Sequence, residues 1–539
     1  TNRLGEKLHV WDHSERIQKK NHFLSNLSSM MLQYYSLALI TSLFLLPLIW
    51  LLKRFIRSAK VQKLPPGPRK LPLIGNLHNL AGSLPHHALR ELARKYGPLM
   101  HLQLGEVSAV VASSPRIARE FLKTHDLALG KRQEIFASKT LTYDGSDIIF
   151  SPFGDYWRQM RKVCVMELLS AKRVQSFSSL REDEVFNLIE SIRSSSGSSI
   201  NFTEKIYSLT STIVCKAAFG SKCKDSDVFI SLTREAVSAA GGFDLADFFP
   251  SQKFLRVITG TGTKLEEMHR KFDKILENII HEHKENQKSA AISEVEPGQE
   301  DLVDYLLRLQ QSSGLEVPIT AKNIKAVIWD MFAAGTDTSS TTVVWGMSEM
   351  MRNPTVLEKA QAEIRKAFRG KEKIHEKDVG NLCYLKLVIQ ETLRLHPPLP
   401  VLIPRECTEP CAIDGYEIPV KTKVIINAWA IARDPVYWNR AESFMPERFA
   451  GSSTDFRGNS FEYIPFGAGR RICPGISFGL AYVELPLAQL LYHFDWELPG
   501  RTKPEDLDMI ETVGAVATRK KPLYLIATAF TPSLDESRG

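Results

Sequence analysis

One stretch of the chain, residues 320–352, constrains the fold more than any other. It is apolar on most helical faces, Thr320 can cap its start, and Asn353 with Pro354 ends it. A helix of about 33 residues rises about 1.5 Å per residue and would therefore span roughly 50 Å. Only a large core can bury such a helix, and 539 residues with 43% hydrophobic content can form one. The stretch predicts a large helical domain.

The remaining sequence fits a mainly α fold with minor β-structure. Residues 99–112 predict a β-hairpin, and Asp414 with Gly415, between short apolar runs, predicts a second one. Residues 285–300 have the composition of a polar loop. A helical period recurs in residues 115–123, 155–169, 181–193, 265–284 and 356–368. This order is not an alternating array of strands and helices, so we expect a single large helical domain.

Near the start of the chain, residues 32–52 form 21 consecutive uncharged positions. A helix of that length crosses roughly 30 Å of hydrocarbon, so we predict a transmembrane anchor at residues 31–52. Lys53 and Arg54 follow at once, and positive charge stays on the cytoplasmic side, which predicts a single-pass protein with its main domain in the cytosol. A buried core helix or a cleaved signal peptide is the alternative explanation.

The same features divide the chain into four predicted regions. Residues 1–30 form a polar leader that we expect to be foreign to the native protein, with translation starting at Met30 or Met31. The anchor follows, and residues 53–68 form a basic, proline-rich linker that prolines would stiffen. We expect residues 69–539 to form the main domain.

Charge and cysteine content exclude several classes of protein. Lys and Arg number 69 and Asp and Glu number 61, so the net charge of +8 is too small to predict nucleic-acid binding. A local basic face for an acidic protein or for a membrane surface is compatible with it. Seven cysteines, an odd and sparse set, argue against a disulfide scaffold and favour a reducing compartment.

The middle of the long helix contains residues that form helices poorly. Gly335 is followed by Thr336, Asp337, Thr338 and Ser339. Hydroxyls that bond back to carbonyls bend helices, and a poor local choice in a buried helix often marks function. A tolerated kink is the alternative interpretation.

The strongest chemical signal is the segment FGAGRRICPG at residues 466–475, which has the pattern Phe-x-x-Gly-x-Arg-x-Cys-x-Gly. At average residue usage, five such fixed positions arise by chance roughly once in ten thousand chains of this size. A cysteine thiolate binds haem iron, and glycines let the backbone approach a cofactor. A helix after Pro474 would direct its positive end toward the thiolate. A buried, unreactive cysteine is the alternative, and zinc is poorly supported because Cys407 and Cys411 form one pair.

This segment resembles the haem-binding motif of the cytochrome P-450 superfamily, the haem-thiolate monooxygenases. Four further stretches match the family in chain order: Trp-x-x-x-Arg at residues 157–161, the oxygen-binding helix segment at 334–339, Glu-x-x-Arg at 391–394 and Pro-Glu-Arg-Phe at 446–449. The resemblance extends from the anchor to near the C-terminus and is closest to plant microsomal members, among them terpenoid hydroxylases. It implies the cytochrome P-450 fold for residues 69–539, on the endoplasmic reticulum membrane.

The resemblance also implies roles for individual residues. Cys473 is the axial ligand of the iron of haem b, in a cofactor-binding loop that includes Phe466 and Gly469. Guanidinium groups pair well with carboxylates, so the haem propionates are assigned to Trp157, Arg161, Arg405 and Arg471. For Arg405 a solvated charge is an equal alternative.

A second group of residues is implied to be structural. Glu391 and Arg394 are three residues apart and share a helix face, and with Arg448 they resemble the buried ion-pair triad of the family. A buried charge that loses its partner costs several kcal/mol. Loss of Glu391 should therefore prevent haem incorporation more than it alters chemistry.

The resemblance assigns the oxygen chemistry to Thr338 and Asp337. Cleavage of O2 requires two protons in an apolar pocket that must exclude bulk water. A hydroxyl backed by a carboxylate and ordered water can deliver them. The alternative is that Thr338 only bonds back to its own helix.

No Gly-x-Gly-x-x-Gly follows a strand, so the sequence has no evident NADPH or flavin site. The family obtains electrons from an NADPH-dependent flavoprotein reductase, whose acidic face Arg470 and nearby basic residues could attract. The implied reaction converts RH, O2, NADPH and a proton into ROH, water and NADP+.

The implied substrate is small and lipophilic, since residues 329–334, 399–403 and 513–517 are largely apolar where the family lines its pocket, with Asp330 turned away. A sesquiterpene or diterpenoid is expected, and a phenolic or an alkaloid is the alternative. Two other functions remain open: a haem-thiolate enzyme that rearranges peroxides without O2 or reductase, and a non-catalytic haem sensor or membrane scaffold.

Overall fold

The computed structural model describes residues 30–49, 63–220, 226–239, 245–290, 300–371, 373–512 and 514–530, except positions 32, 44, 47, 48, 253 and 313. Two compact units are distinguished, Thr1–Lys63 and Leu64–Gly539. The predicted leader up to residue 29, parts of the predicted anchor and most of the basic half of the linker lie outside the described residues. Within the described parts of the chain, no helix combines the length and the apolar character needed to cross a bilayer.

Helices account for most of the second unit. The described α-helices, numbered α1 to α18 in chain order, are Pro85–Tyr96, Pro115–Arg119, Phe136–Leu141, Asp155–Val163, Ala171–Ser176, Ser178–Arg193, Phe202–Phe219, Ser226–Ala239, Leu245–Phe248, Phe254–Ile258, Thr261–Ala290, Leu302–Gln311, Ala321–Arg352, Pro354–Ala367, Glu376–Val379, Cys383–Leu395, Ala428–Ile431 and Ile476–His493.

Short strands form three small sheets. The described strands, β1 to β10, are Leu99–Leu104, Val107–Ala112, Lys131–Arg132, Ser199–Asn201, Arg405–Glu406, Cys411–Ile413, Tyr416–Ile418, Lys423–Ile426, Phe494–Glu497 and Tyr524–Ala529. Their orders are β1-β2-β8-β5-β3, β4-β10-β9 and β6-β7. Both predicted hairpins are confirmed, as the antiparallel pairs β1-β2 and β6-β7.

The predicted long helix is confirmed as α13. The hydroxyl of Thr320 accepts from the backbone N–H of Asn323, whose side chain accepts in turn from the N–H of Thr320, so the start is doubly capped. Asn353 ends the helix and Pro354 begins α14. The poor helix formers at residues 335–339 do not interrupt α13, and the hydroxyl of Thr338 donates within the helix to the carbonyl of Ala334.

One predicted boundary is wrong. Residues 285–290 continue α11 instead of beginning a loop, and an ion pair between Lys288 and Glu285, three residues apart, supports this polar end of the helix. Polarity alone therefore misled the prediction, because an exposed helix can be as polar as a loop.

Small residues bring three helices together in the core. Gly335 of α13 lies against Val214 of α7, where a methyl group at the glycine would come within 3.3 Å of the valine. Gly479 of α18 faces Ser339 in the same way. These crossings bring the start of α18, just after Cys473, to the middle of α13.

Candidate active site

The cysteine loop is built by its own backbone. The N–H of Cys473 donates to the carbonyl of Phe466 at 3.0 Å, and the N–H of Gly475 donates to the sulfur. Phe466 packs against the main hydrophobic cluster, which fixes one end of the loop. Burial raises the pKa of the Cys473 thiol, whereas the Gly475 amide and the nearby Arg161 lower it.

Gly469 occupies the tightest position in this loop. Its φ is +70°, and an added Cβ would come within 2.0 Å of the carbonyl oxygen of Leu122. Asp126 then accepts the N–H of the following residue, Arg470, at 2.7 Å. Only glycine fits there, which ties the loop to the preceding part of the fold.

The residues predicted to hold the propionates lie close together in the structure and form what we call the clamp. They are Trp157, Arg161, Arg405 and Arg471. The indole N–H of Trp157 donates to the carbonyl of Ile148 at 3.0 Å, and the guanidinium of Arg471 lies 4.3 Å from the Trp157 ring centre. Arg161 donates to the carbonyl of Ile472, directly before the cysteine. Arg405 pairs with Asp126.

Sequence reasoning missed a fourth guanidinium, that of Arg132. Arg132 is the direct antiparallel partner of Arg405 across β3 and β5, and it donates to the carbonyls of Ile149 and Ile403. No motif of spacing marks it. Only the pairing of β3 with β5 places it beside Arg405, because the two arginines are 273 positions apart in the sequence.

A cavity opens beside the clamp. Its volume is about 1440 Å³ when the space open to solvent at its entrance is included. All three segments that the sequence singled out line it, through residues 329, 333 and 334, 399 and 401–403, and 514–516. Asp330 does not line it and is fully buried elsewhere. Gln133, Lys423 and Thr338 are polar members of a largely apolar wall, so the cavity suits a lipophilic molecule.

Thr338 and Asp337 lie in different surroundings. Thr338 lines the cavity and donates to the carbonyl of Ala334 at 2.6 Å. Asp337 is buried away from the cavity lining, where its charge acts on Tyr207 of α7 and meets that of Arg234 of α8. Burial raises the pKa of Asp337 to about 6. A proton could pass between the two side chains through intervening water.

The three residues of the predicted triad form one buried ion-pair cluster. The Glu391 carboxylate accepts from Arg394 Nε at 2.7 Å and Nη2 at 2.8 Å, and from Arg448 Nε at 2.9 Å. Glu391 and Arg394 are completely buried. Arg394 also donates to the carbonyls of Ala432 and Ala441, so this charge is fully hydrogen-bonded.

Comparison with known proteins decides the family. The sequence model of the cytochrome P-450 family matches residues 65–527. The chain belongs to this family. A cytochrome P-450 of zebra fish, solved with progesterone, superimposes with a TM-score of 0.70 at 25% identity, over 83% of this chain and all of that one.

Plant members are much more similar in sequence. Premnaspirodiene oxygenase of Hyoscyamus muticus is 58% identical over 504 residues, which cover 93% of this chain and all of the relative. The 5-epiaristolochene 1,3-dihydroxylase of Nicotiana tabacum is 56% identical over 506 residues, again 93% of this chain and all of the relative. This cytochrome P-450 is therefore an oxidoreductase of plant type, a monooxygenase that acts on a lipophilic substrate.

The cofactor of the family is haem b, and the charges of this cytochrome P-450 fit it. Burial lowers the pKa of four guanidinium groups, those of Arg132, Arg161, Arg405 and Arg471. The charges of the neighbouring guanidinium groups lower the pKa of Arg132 and of Arg471 further. Acidic charge opposing them comes from Asp126 and Asp147. Excess positive charge on buried and half-buried guanidinium groups beside the half-buried Cys473 suits a dianionic cofactor with two propionates.

Proposed function

We propose that this cytochrome P-450 hydroxylates a terpenoid, a sesquiterpene or a diterpenoid, with electrons from an NADPH-dependent flavoprotein reductase. One observation carries the proposal: a large apolar cavity whose wall contains the hydroxyl of Thr338 and which adjoins the arginine clamp. The similarity to two oxygenases named for sesquiterpene substrates supports the substrate class. When bound, the haem supplies the O2 activation that side chains lack.

The residues of the chain divide the remaining tasks in this proposal. Cys473 supplies the thiolate, and Arg132, Arg161, Arg405 and Arg471 hold the propionates. Thr338 donates a proton in the cavity, and Asp337 restores it through water. Phe466 and Gly469 shape the loop around the sulfur, and Trp157 supports the clamp. Glu391, Arg394 and Arg448 hold the surrounding loops in place.

We also propose that residues 31–52 anchor the chain in the endoplasmic reticulum membrane, with the catalytic domain in the cytosol. A second apolar feature supports membrane contact. Val257 and Ile258 at the end of α10 are 78% and 74% exposed, and Phe254 is exposed beside them. Leu73, in the loop that bonds to Gly105, is exposed as well. Exposed apolar residues of this kind are typical of a surface that enters lipid.

Reconstitution tests the proposed function. The full chain is combined in phospholipid vesicles with a plant flavoprotein reductase, NADPH and either premnaspirodiene or 5-epiaristolochene. We expect a product that carries one added oxygen, derived from oxygen-18 gas and formed only with NADPH. No oxygenated product from these or from a panel of diterpenes, in protein with an intact haem spectrum, would contradict the substrate class. Isomerisation of an added organic hydroperoxide without NADPH or O2 would indicate a rearrangement enzyme instead.

A further inference from the structure

Two carboxyl groups that the proposed chemistry does not use meet in the interior. Asp147 precedes α4, and Asp330 lies on α13, one turn before Ala334. Both side chains are completely shielded from solvent and hydrogen-bonded to each other. Two ionised carboxylates within hydrogen-bonding reach of each other would repel strongly in an interior without water. The pair must therefore retain a proton.

The hydrogen bonds around the pair show which member carries that proton. Asp147 accepts the N–H groups of Ser151 and Phe150, each at 3.0 Å, through its two oxygens. Asp330 accepts the N–H of Ile148 at 2.7 Å through Oδ2, and the N–H of Ile149 also acts on its carboxyl group. Its Oδ1 meets no donor among the described residues. An ionised Asp147 is therefore stabilised by two amides, whereas a proton on Asp330 Oδ1 turns that orphan oxygen into a donor.

The surrounding charges agree with this assignment. Burial and the charge of Asp147 raise the pKa of Asp330 well above its usual value. Burial also raises the pKa of Asp147, but only to about 6, because the N–H of Phe150, the carboxyl group of Asp330, and the N–H groups of Asp147 itself and of Ser151 donate to it. The positive groups that face Asp147 are Arg132 and Arg471, and the neutral groups nearby are Tyr156 and Cys164.

Asp147 is the first residue of a five-residue loop, residues 147–151, which Asp330 contacts at Ile148 and which has two functional faces. The carbonyl of Ile148 accepts from Trp157 and Arg471, that of Ile149 from Arg132, and that of Ser151 from Arg471. The side chains of Ile149 and Phe150 line the cavity. The loop therefore contacts the cofactor clamp on one side and the substrate cavity on the other.

We propose that neutral Asp330 donates a hydrogen bond to ionised Asp147, and that this acid–carboxylate pair positions the loop 147–151 against the haem clamp. Asp330 and Asp147 are positioning residues, since neither lines the cavity. The part of this inference that concerns the clamp rests on the proposed function, whereas the protonation of Asp330 does not.

Two amide variants separate the roles of the acids. In Asp330→Asn the amide can donate to Asp147 and its oxygen can accept from Ile148, as the neutral acid does. In Asp147→Asn the new NH2 group faces backbone N–H donors that need an acceptor. We expect haem transfer from purified holoprotein to apomyoglobin to stay within about twofold of wild type for Asp330→Asn. For Asp147→Asn it should accelerate about tenfold or more, or haem should not be incorporated.

Infrared spectroscopy tests the proton directly. At neutral pH the wild-type holoprotein should show the C=O stretch of a protonated carboxyl group that resists exchange with solvent, and Asp330→Asn should lack it. Asp330→Ala, which can neither donate nor accept, should release haem as fast as Asp147→Asn, so that asparagine rescues what alanine removes. Equal haem release by both asparagine variants, or an infrared band that survives Asp330→Asn, would overturn the proposal. Neither readout depends on the substrate, so failure of the terpenoid assignment would leave both unchanged.

Discussion

The hydroxyl of Thr338 combines two features that decide its chemistry: it lines the cavity and it bonds to its own helix. That bond occupies its proton in the absence of a better acceptor, and bound oxygen would compete for it. Thr342 makes the same type of bond one turn later, to the carbonyl of Thr338, but does not line the cavity. The two threonines therefore form a matched pair, one poised for chemistry and one structural.

We predict that Thr338→Ala retains haem but wastes reducing equivalents as hydrogen peroxide, because protons no longer reach the oxygen in time. The ratio of product formed to NADPH consumed should fall about a hundredfold, the lower end of what one positioned proton donor contributes. Thr342→Ala should keep the wild-type ratio. A normal ratio in Thr338→Ala would remove this residue from the mechanism.

The burial of Asp337 predicts that the free energy of unfolding decreases as the pH rises toward about 6. Its pKa in the folded chain, about 6, exceeds its usual value of 3.8, so the folded state binds the proton more tightly than the unfolded one. The ionised form therefore costs stability above about pH 6, and the cost fades as the pH falls below that value. Asp337→Asn should raise the free energy of unfolding by about 1–3 kcal/mol near pH 7.5, and less near pH 5.

Thermal unfolding followed at both pH values measures this difference. A stabilisation that is equal at the two pH values would show that Asp337 does not titrate in this range. The same variant should lose coupling of NADPH to product, so that a residue retained for chemistry lowers stability.

Among the elements, the loop before α18 depends on two glycines that look alike in the sequence. Gly467 and Gly469 both have positive φ, +73° and +70°. Around Gly467 the nearest atom to an added Cβ would be 3.8 Å away, whereas at Gly469 the carbonyl of Leu122 would be at 2.0 Å. The motif predicted a loop for a cofactor but could not rank its glycines, because the clash comes from a distant segment.

This difference predicts unequal alanine variants. Gly467→Ala should cost about 1–2 kcal/mol, the strain of a left-handed residue alone. Gly469→Ala must also displace the backbone at Leu122, and should abolish haem incorporation. The haem absorbance per protein of both purified variants measures the effect. Similar haem content in the two would contradict the close contact.

The ion-pair cluster links helix α16 to the segment around Arg448. Because Arg394 and Arg448 both lose their carboxylate in Glu391→Ala, two buried guanidinium groups remain, and the expected cost is about 3–5 kcal/mol. Little soluble holoprotein should form. Glu447, beside Arg448 in the chain but paired with Lys359 at the surface, provides the control, and Glu447→Ala should change stability by about 1 kcal/mol or less. Normal haem content in Glu391→Ala would contradict a structural role.

For the molecule as a whole, local patterns in the sequence predicted what local physics determines. The caps of α13 and both hairpins follow from neighbouring residues, and they were confirmed. The apolar segments that line the cavity were also confirmed, but they were predicted from the family resemblance. The contribution of Arg132 and the contact between Asp147 and Asp330 could not be predicted in the same way. They depend on strand pairing and on loop placement across more than a hundred residues, for which a single sequence carries no signal.

The central claim is that Cys473 binds haem iron as a thiolate, and one measurement tests it most directly. The full chain, expressed in membranes, is reduced and exposed to carbon monoxide, and the difference spectrum is compared with that of Cys473→Ala. We predict the red-shifted Soret band of thiolate-ligated haem for the wild type and its loss in the variant, with polypeptide still present. A colourless wild-type protein, or a spectrum that Cys473→Ala leaves unchanged, would contradict the account.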